Sequence, residues 1–213
     1  MKKILIALAA LLTATVAQAQ LLNFDGMPPY KLGLTAGLNA PSFSGAAYSY
    51  TTGFNAGIDI MLDASDIFDG TFARGVVKYS MMGATGPDHE NICHYHENGK
   101  TYFTAHYVQI PIHYGYAWRI DRDWTVMAET GPYLGLGMGG TARPTGEFIT
   151  GSHTFFRRHD VSRVDFGWGI QASMLFDQQW QLHVGYDWGF KNMNEIFLQN
   201  TGLNVGLTLY FEY

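Results

Sequence analysis

A chain of 213 residues with 18 acidic against 13 basic residues lacks the clustered positive charge of a nucleic-acid binder, and its single cysteine excludes an intramolecular disulfide. Its aromatic and charged shares are equal at 15%, it holds 25 glycines and its mean hydropathy is near zero, an odd balance for a soluble domain. Such a balance suits membrane strands, whose alternation of apolar and polar residues averages hydropathy away.

The chain opens on Lys2 and Lys3, an apolar run from Ile4 to Leu12, and Ala17-Gln18-Ala19 before Gln20. That is the order of a secretory signal peptide, and the apolar run is about half the ~20 residues that a spanning helix needs. Residues 1–19 are expected to be cleaved, leaving 20–213 as one domain. Cleavage takes two of the 13 basic residues, so 11 remain against 18 acidic ones, a net charge of −7. Cys93 lies far from the cleavage site, so it is no lipoprotein anchor.

Eight segments with period-two alternation follow. The first three run from Lys31 to Leu38, Gly53 to Leu62 and Thr71 to Met82, the third with Arg74, Lys78 and Ser80 on its polar face. From Tyr102 to Trp118, Val108, Ile110, Ile112, Tyr114 and Tyr116 oppose Tyr107, Gln109 and His113. Between Trp124 and Met138, Val126, Ala128, Leu134 and Leu136 oppose Glu129, Tyr133 and several glycines. Val164 to Phe176 places Phe166, Trp168 and Ile170 against Asp165, Gly167 and Gln171, with Arg163 on the same polar parity. Trp180 to Phe190 sets Leu182, Val184 and Tyr186 against Gln181, His183 and Asp187, and Gly202 to Tyr213 closes the series.

The links alternate in length. Asp63 to Gly70, Ile120 to Asp123 and Asp177 to Gln179 are short, whereas Asn39 to Thr52, Gly83 to Lys100, Gly139 to Asp160 and Lys191 to Asn200 are long and polar. The expectation is an all-β, eight-stranded antiparallel up-and-down transmembrane β-barrel, with short periplasmic turns, four longer outer loops and both termini periplasmic. A lipocalin-like soluble barrel is the rival with the same strand count. Against it, Trp118, Trp124, Phe176 and Trp180 flank short turns as an aromatic girdle would. The polar face also carries Lys31, Asp59, Arg74, Lys78, His113, Glu129, Arg163, Asp165, His183 and Asp187, a poor lining for an apolar ligand. In a membrane barrel of eight strands the same side chains fill the interior, so a paired, charged core without an open pore is predicted. Register across the turns predicts Asp59 near Arg74, His113 diagonal to Glu129, Asp165 near Lys191, and Lys31 near Glu212.

Within the fourth segment, Tyr107-Val108-Gln109-Ile110-Pro111-Ile112 places a proline where strands rarely hold one. This piece resembles the aromatic-x-x-Ile-Pro-hydrophobic strand of the outer membrane protein β-barrel domain family of porin-like, PorT-like small barrels, and the resemblance covers essentially the whole mature chain. It implies a place in the bacterial outer membrane and assembly by the outer-membrane assembly machinery, with no catalytic residues to carry over. The end of the chain, Asn204, Gly206, Leu209, Phe211 and Tyr213, is similar to the signal that this machinery reads, for which strand addition is a mechanism.

Three groups of loop residues have chemical potential. Asp88 to Glu97 contains Cys93, His94 and His96, the residue types of a zinc or copper site, but a solvated loop tip explains them better because no ligand spacing of a known site is met, and no metal or cofactor is expected. Arg143, Glu147, Ser152, His153, Phe155, Phe156, Arg157, Arg158 and His159 include the types needed by a lipid A-modifying enzyme, but contacts to anionic lipid and lipopolysaccharide account for them more simply. Tyr48, Tyr50, Tyr95 and Tyr102 are candidate contacts for a surface ligand or for the membrane interface. A structural or loop-mediated binding and adhesion role follows best, with a narrow diffusion channel or a lipid A-modifying enzyme as the alternatives.

Overall fold

In a strand successive side chains point to opposite faces, so an alternating segment can satisfy lipid on one side and a polar interior on the other. The computed structural model realises this arrangement and describes residues 30–44, 48–87, 100–145, 153–154, 156, 162–192 and 199–211. Its strands are β1 (Tyr30–Phe43), β2 (Gly53–Asp63), β3 (Thr71–Pro87), β4 (Lys100–Arg119), β5 (Trp124–Thr145), β6 (His153–Thr154), β7 (Val164–Phe176), β8 (Trp180–Gly189) and β9 (Asn200–Tyr210). The eight long strands pair antiparallel with their neighbours, and β1 pairs β9 from Gly33 opposite Tyr210 to Phe43 opposite Asn200. That last ladder closes the sheet into a barrel, so no long strand is left as a free edge over its spanning part. The two-residue β6 adds to the far end of β5, Thr141 facing Thr154.

The apolar face points outward. Leu182 is 58% exposed and Ile112 60%, while their neighbours Gln181 and His113 are 0% and 7% exposed. In a lipocalin these values would be reversed, so the cup reading is excluded. Trp118 packs against Tyr116 and Trp124 against Phe176 at the short-turn end, where an aromatic girdle belongs.

Several strands run beyond their expected ends, and every extension of more than one residue points toward the long connections. Residues 39–43 stay paired with β9, and β3 and β4 remain in register up to Pro87 opposite Lys100. With 22 residues, β5 is about 70 Å long at ~3.3 Å per residue. Crossing the hydrocarbon layer takes only about 9–11 residues. Polar composition marks these stretches as loops, but ladder hydrogen bonds to a neighbour that also continues hold them as strands. The ends of β3, β4 and β5 toward the long connections thus form a wall beyond the barrel, starting near an irregularity in the β4–β5 register at His106/Tyr107.

Two prolines interrupt the ladders within the barrel. Pairing of β3 with β4 skips from Gly75–Ile112 to Lys78–Gln109, across Pro111, and that of β4 with β5 skips from Pro111–Tyr133 to Tyr114–Thr130, across Pro132. Proline has no N–H to donate, so neither ladder can be continuous there. Between β7 and β8 the tight turn places Asp177 and Gln178 at φ of 50° and 59°, left-handed conformations that are costly for side chains other than glycine.

Candidate functional site

The inward-facing side chains form three layers. At the short-turn end Met61, Phe72, Met127, Leu175 and Tyr210 pack together as an apolar layer, all at most 8% exposed. At the opposite end Phe43, Met82, Ala84, Phe103, Ala105, Tyr107, Ala142 and Phe156 make a second one, with Tyr48 against it. Between them lies the polar core. The paired, charged core expected from the sequence occupies the middle, and the apolar layers at its two ends are an addition to that reading. Barrel ends carry no lipid constraint on their inner face, so apolar side chains there can pack on one another and exclude water.

Arg74 is the hub of the core. Its Nε and Nη1 donate to Asp59 Oδ2 at 2.8 Å and Glu129 Oε1 at 2.8 Å, and Nη2 donates to Asp59 Oδ2 and to Thr208 Oγ1 at 3.4 Å. His113 Nδ1 lies 3.2 Å from the same Glu129 oxygen. The Tyr210 hydroxyl faces Asp59 Oδ1 at 3.2 Å and Gln181 Oε1 at 2.9 Å, and Gln181 Nε2 donates to Ser173 Oγ at 2.7 Å. Charges this deeply buried persist only when paired and hydrogen-bonded, as here.

Two further carboxylates stand nearer the long-connection end. Asp165 Oδ2 accepts from Tyr133 at 3.2 Å and Asn200 at 2.9 Å, and Asp187 Oδ2 accepts from Gln109 at 3.3 Å and Asn204 at 3.5 Å. Asn55 donates to Asn39, and Asn39 donates to Ser80 Oγ at 3.0 Å. A small central cavity separates these groups, lined by Arg74, Lys78, Pro111, His113, Glu129, Gln171, His183, Asp187 and Asn204 among others. It sits beside the ladder gap that Pro111 creates, where the wall is not drawn together by hydrogen bonds. Glycines keep it open. A side chain at Gly169 would meet Asp187 Oδ1 at 2.6 Å and His113 Nε2 at 3.0 Å, and one at Gly206 would meet His183 Nε2 at 2.7 Å.

Asp59, Arg74, Lys78, His113, Glu129, Asp165 and Asp187 all face the interior. The Asp59–Arg74 and His113–Glu129 juxtapositions are present, and Lys191 lies near enough to Asp165 to act on it electrostatically, although the hydrogen bonds of Asp165 come from Tyr133 and Asn200. Asp165 and Asn200 are brought together inside because β9 extends to Asn200, beyond the strand read from the sequence. Arg163, expected inside, is exposed, with its guanidinium 5.6 Å from the Phe156 ring centre, because it precedes the first paired residue of β7. Lys31 donates to Gln178 Oε1 at 2.6 Å and to Gln178 O at 3.1 Å, and its expected partner Glu212 lies outside the described residues. Cys93, His94 and His96 also lie outside them, as does Tyr213. No group of three or more His, Cys, Asp or Glu among the described residues could hold a metal ion.

The sequence reading missed the apolar layers, although a signal existed. Met61-Leu62, Val126-Met127, Leu175-Phe176 and Leu209-Tyr210 each break strict alternation beside the short-turn end, with the inward member apolar. Phe156 and Tyr48 gave no such signal, because they come from connections. Their rings fill space left by Gly137 and Gly86, where a Cβ would meet each ring. Phe156 packs edge-on against Tyr107, and the Tyr48 hydroxyl, outside the spanning strands, is pushed up to about 12 by burial.

A ring of eight long strands with a lipid-type outer face and a filled interior can be compared directly with known families. Residues 18–195 match the family described as outer membrane protein beta-barrel domain. The chain belongs to that family. Membership agrees with the resemblance carried by Tyr107 to Ile112 and makes this a protein of the bacterial outer membrane. Solved structures similar to it include Neisserial surface protein A, at 13% identity over 84% of this chain and 97% of that one, with a TM-score of 0.48. Ail of Yersinia pestis, solved with the heparin analogue sucrose octasulfate, shows 11% identity over 85% and 99%, with a TM-score of 0.43. The N-terminal β-barrel domain of Pseudomonas aeruginosa OprF gives 10%, 83% and 97%, with a TM-score of 0.35. No curated protein matches the sequence.

Proposed function

We propose that this protein is a closed outer-membrane barrel whose role is exercised at its outer surface, as a structural or a binding and adhesion protein, rather than by transport or catalysis. The observation that carries this reading is the layered interior, in which Arg74 and its carboxylates lie between two apolar layers. An ion entering from either end would have to shed its water against Phe103 and Phe156 or against Phe72 and Met127, at a cost of several kcal/mol or more. Function then falls to the wall of β3, β4 and β5 and to the long connections, on a rigid scaffold suited to present them.

In this reading residues 1–19 direct export and are removed, and the short turns and both termini are periplasmic. Charge supports that orientation. Among the described residues, the ends toward the long connections carry exposed Lys100, Arg143 and Arg163, while at the short turns the six carboxylates of Asp63, Asp66, Asp69, Asp121, Asp123 and Asp177 outnumber exposed Arg119 and Arg122. Basic groups near the outer leaflet fit the phosphates of lipopolysaccharide. Asn204, Gly206, Leu209 and Phe211 on β9 and beyond, with Tyr213, serve as the assembly signal; the polar members face in and Leu209 and Phe211 face out. Single-channel recording on protein refolded into planar bilayers tests the central claim. A silent membrane is expected, and steady ionic steps from heat-modifiable, folded protein would refute it.

A further inference from the structure

Hydrogen-bonding capacity in the core is not exhausted by the side chains around it. His113 Nε2, Glu129 Oε2, Gln171 Nε2, His183 Nδ1 and Asn204 Oδ1 are all buried without a hydrogen-bond partner among the described residues. All five residues line the same central cavity. His113, Glu129, His183 and Asn204 are each more than nine-tenths buried. Desolvated donors and acceptors of this kind are rare singly, because each one left unmade costs free energy; five converging on one space require a common partner.

We propose that the centre of the barrel is a binding site for water, held by His113, Glu129, Gln171, His183 and Asn204. The space open to water centres is about 20 Å³, against the ~10–15 Å³ that a single buried water needs, so it takes one or two molecules and nothing larger. A neutral guest also fits the charges, since Arg74 and Lys78 on the lining are matched by Glu129 and Asp187. Water can donate to Glu129 Oε2 and Asn204 Oδ1 and accept from Gln171 Nε2, and either histidine nitrogen completes its shell in the matching tautomer. The bound water joins two groups of the core that no hydrogen bond among the described residues connects: Arg74, Asp59, Glu129 and His113 toward the short turns, and Asp187, Gln109 and Asn204 toward the wall. With an apolar layer at either end, this water exchanges with the bulk only when the barrel breathes.

The test is cross-relaxation with water in the full mature chain, isotope-labelled and refolded in detergent micelles. The side-chain amide protons of Gln171 are expected to show cross-peaks at the water frequency with opposite signs in NOE and ROE spectra, the signature of a bound molecule rather than of proton exchange. In the Gln171→Leu variant, which removes one ligand and fills the space, water cross-peaks at the His183 ring are expected to disappear while the heat-modifiable gel shift of the folded barrel is retained. No cross-relaxation at Gln171 in the unaltered protein, or undiminished water contact at His183 in the folded variant, overturns the proposal. Should the variant not fold, the measurement on the unaltered protein decides alone. A dry core would leave the conductance silent, so this proposal and the closed-barrel reading fail separately.

Discussion

Replacing Arg74 by methionine removes the hub of the core while keeping much of its volume. Arg74 makes three short charge-assisted hydrogen bonds, two to Asp59 and one to Glu129, and a longer one to Thr208. At about 1.5–3 kcal/mol each, the three charged bonds sum to a gross upper range of roughly 4.5–9 kcal/mol. The net loss is smaller than that sum, because burying Arg74 also cost its hydration. What dominates in the variant is the pair of carboxylates left without a cation: Asp59 is 0% exposed and Glu129 5%. Breaking a buried pair from one side typically costs about 3–5 kcal/mol, and that is the expected loss for Arg74→Met. Urea unfolding in lipid vesicles, followed by tryptophan fluorescence and by gel mobility without boiling, measures it. Removing the orphaned charges as well, in Arg74→Met/Asp59→Asn/Glu129→Gln, is expected to recover more than half of the loss. A single variant within about 1 kcal/mol of the parent, or a triple variant no better than the single one, refutes the idea that paired burial governs this core.

Other expectations follow from the faces, layers and turns. Ile170, 50% exposed midway along β7, meets the hydrocarbon centre, so Ile170→Arg should cost about 2–4 kcal/mol in the same vesicle assay, and a change below about 0.5 kcal/mol would argue against a lipid-facing side. Gly137→Ala places a methyl against the Phe156 ring and should destabilise the barrel by about 1–3 kcal/mol; in a double-mutant cycle, Phe156→Ala should absorb most of that penalty, and strict additivity would mean that the two do not touch. Asp177→Gly relieves a left-handed non-glycine residue, so a gain of up to about 1 kcal/mol is expected, less the entropy that glycine adds to the unfolded chain, and a net loss would show that the Asp177 side chain holds the turn.

Strand number, face assignment and the alternation of short and long links follow from sequence alone, because a strand's period of two is a local property and lipid outside a barrel forces one face to be apolar. The motif Tyr107 to Ile112 and the girdle residues Trp118, Trp124, Phe176 and Trp180 belong to the same local record. Where strands end does not. Residues 83–87 and 139–145 read as polar loops, yet they are strands because the chain beside each continues, and a hydrogen-bond partner is not encoded in the segment that needs it. The interior divides in the same way. Inward parity nominated Asp59, Arg74 and Glu129, but Tyr210 at the Asp59 carboxylate and Asn200 at Asp165 come from far along the chain and meet only when the barrel closes. The water site is the furthest from the sequence: His113, Glu129, Gln171, His183 and Asn204 lie on five different strands, and only barrel closure turns their separate inward directions into one shared cavity.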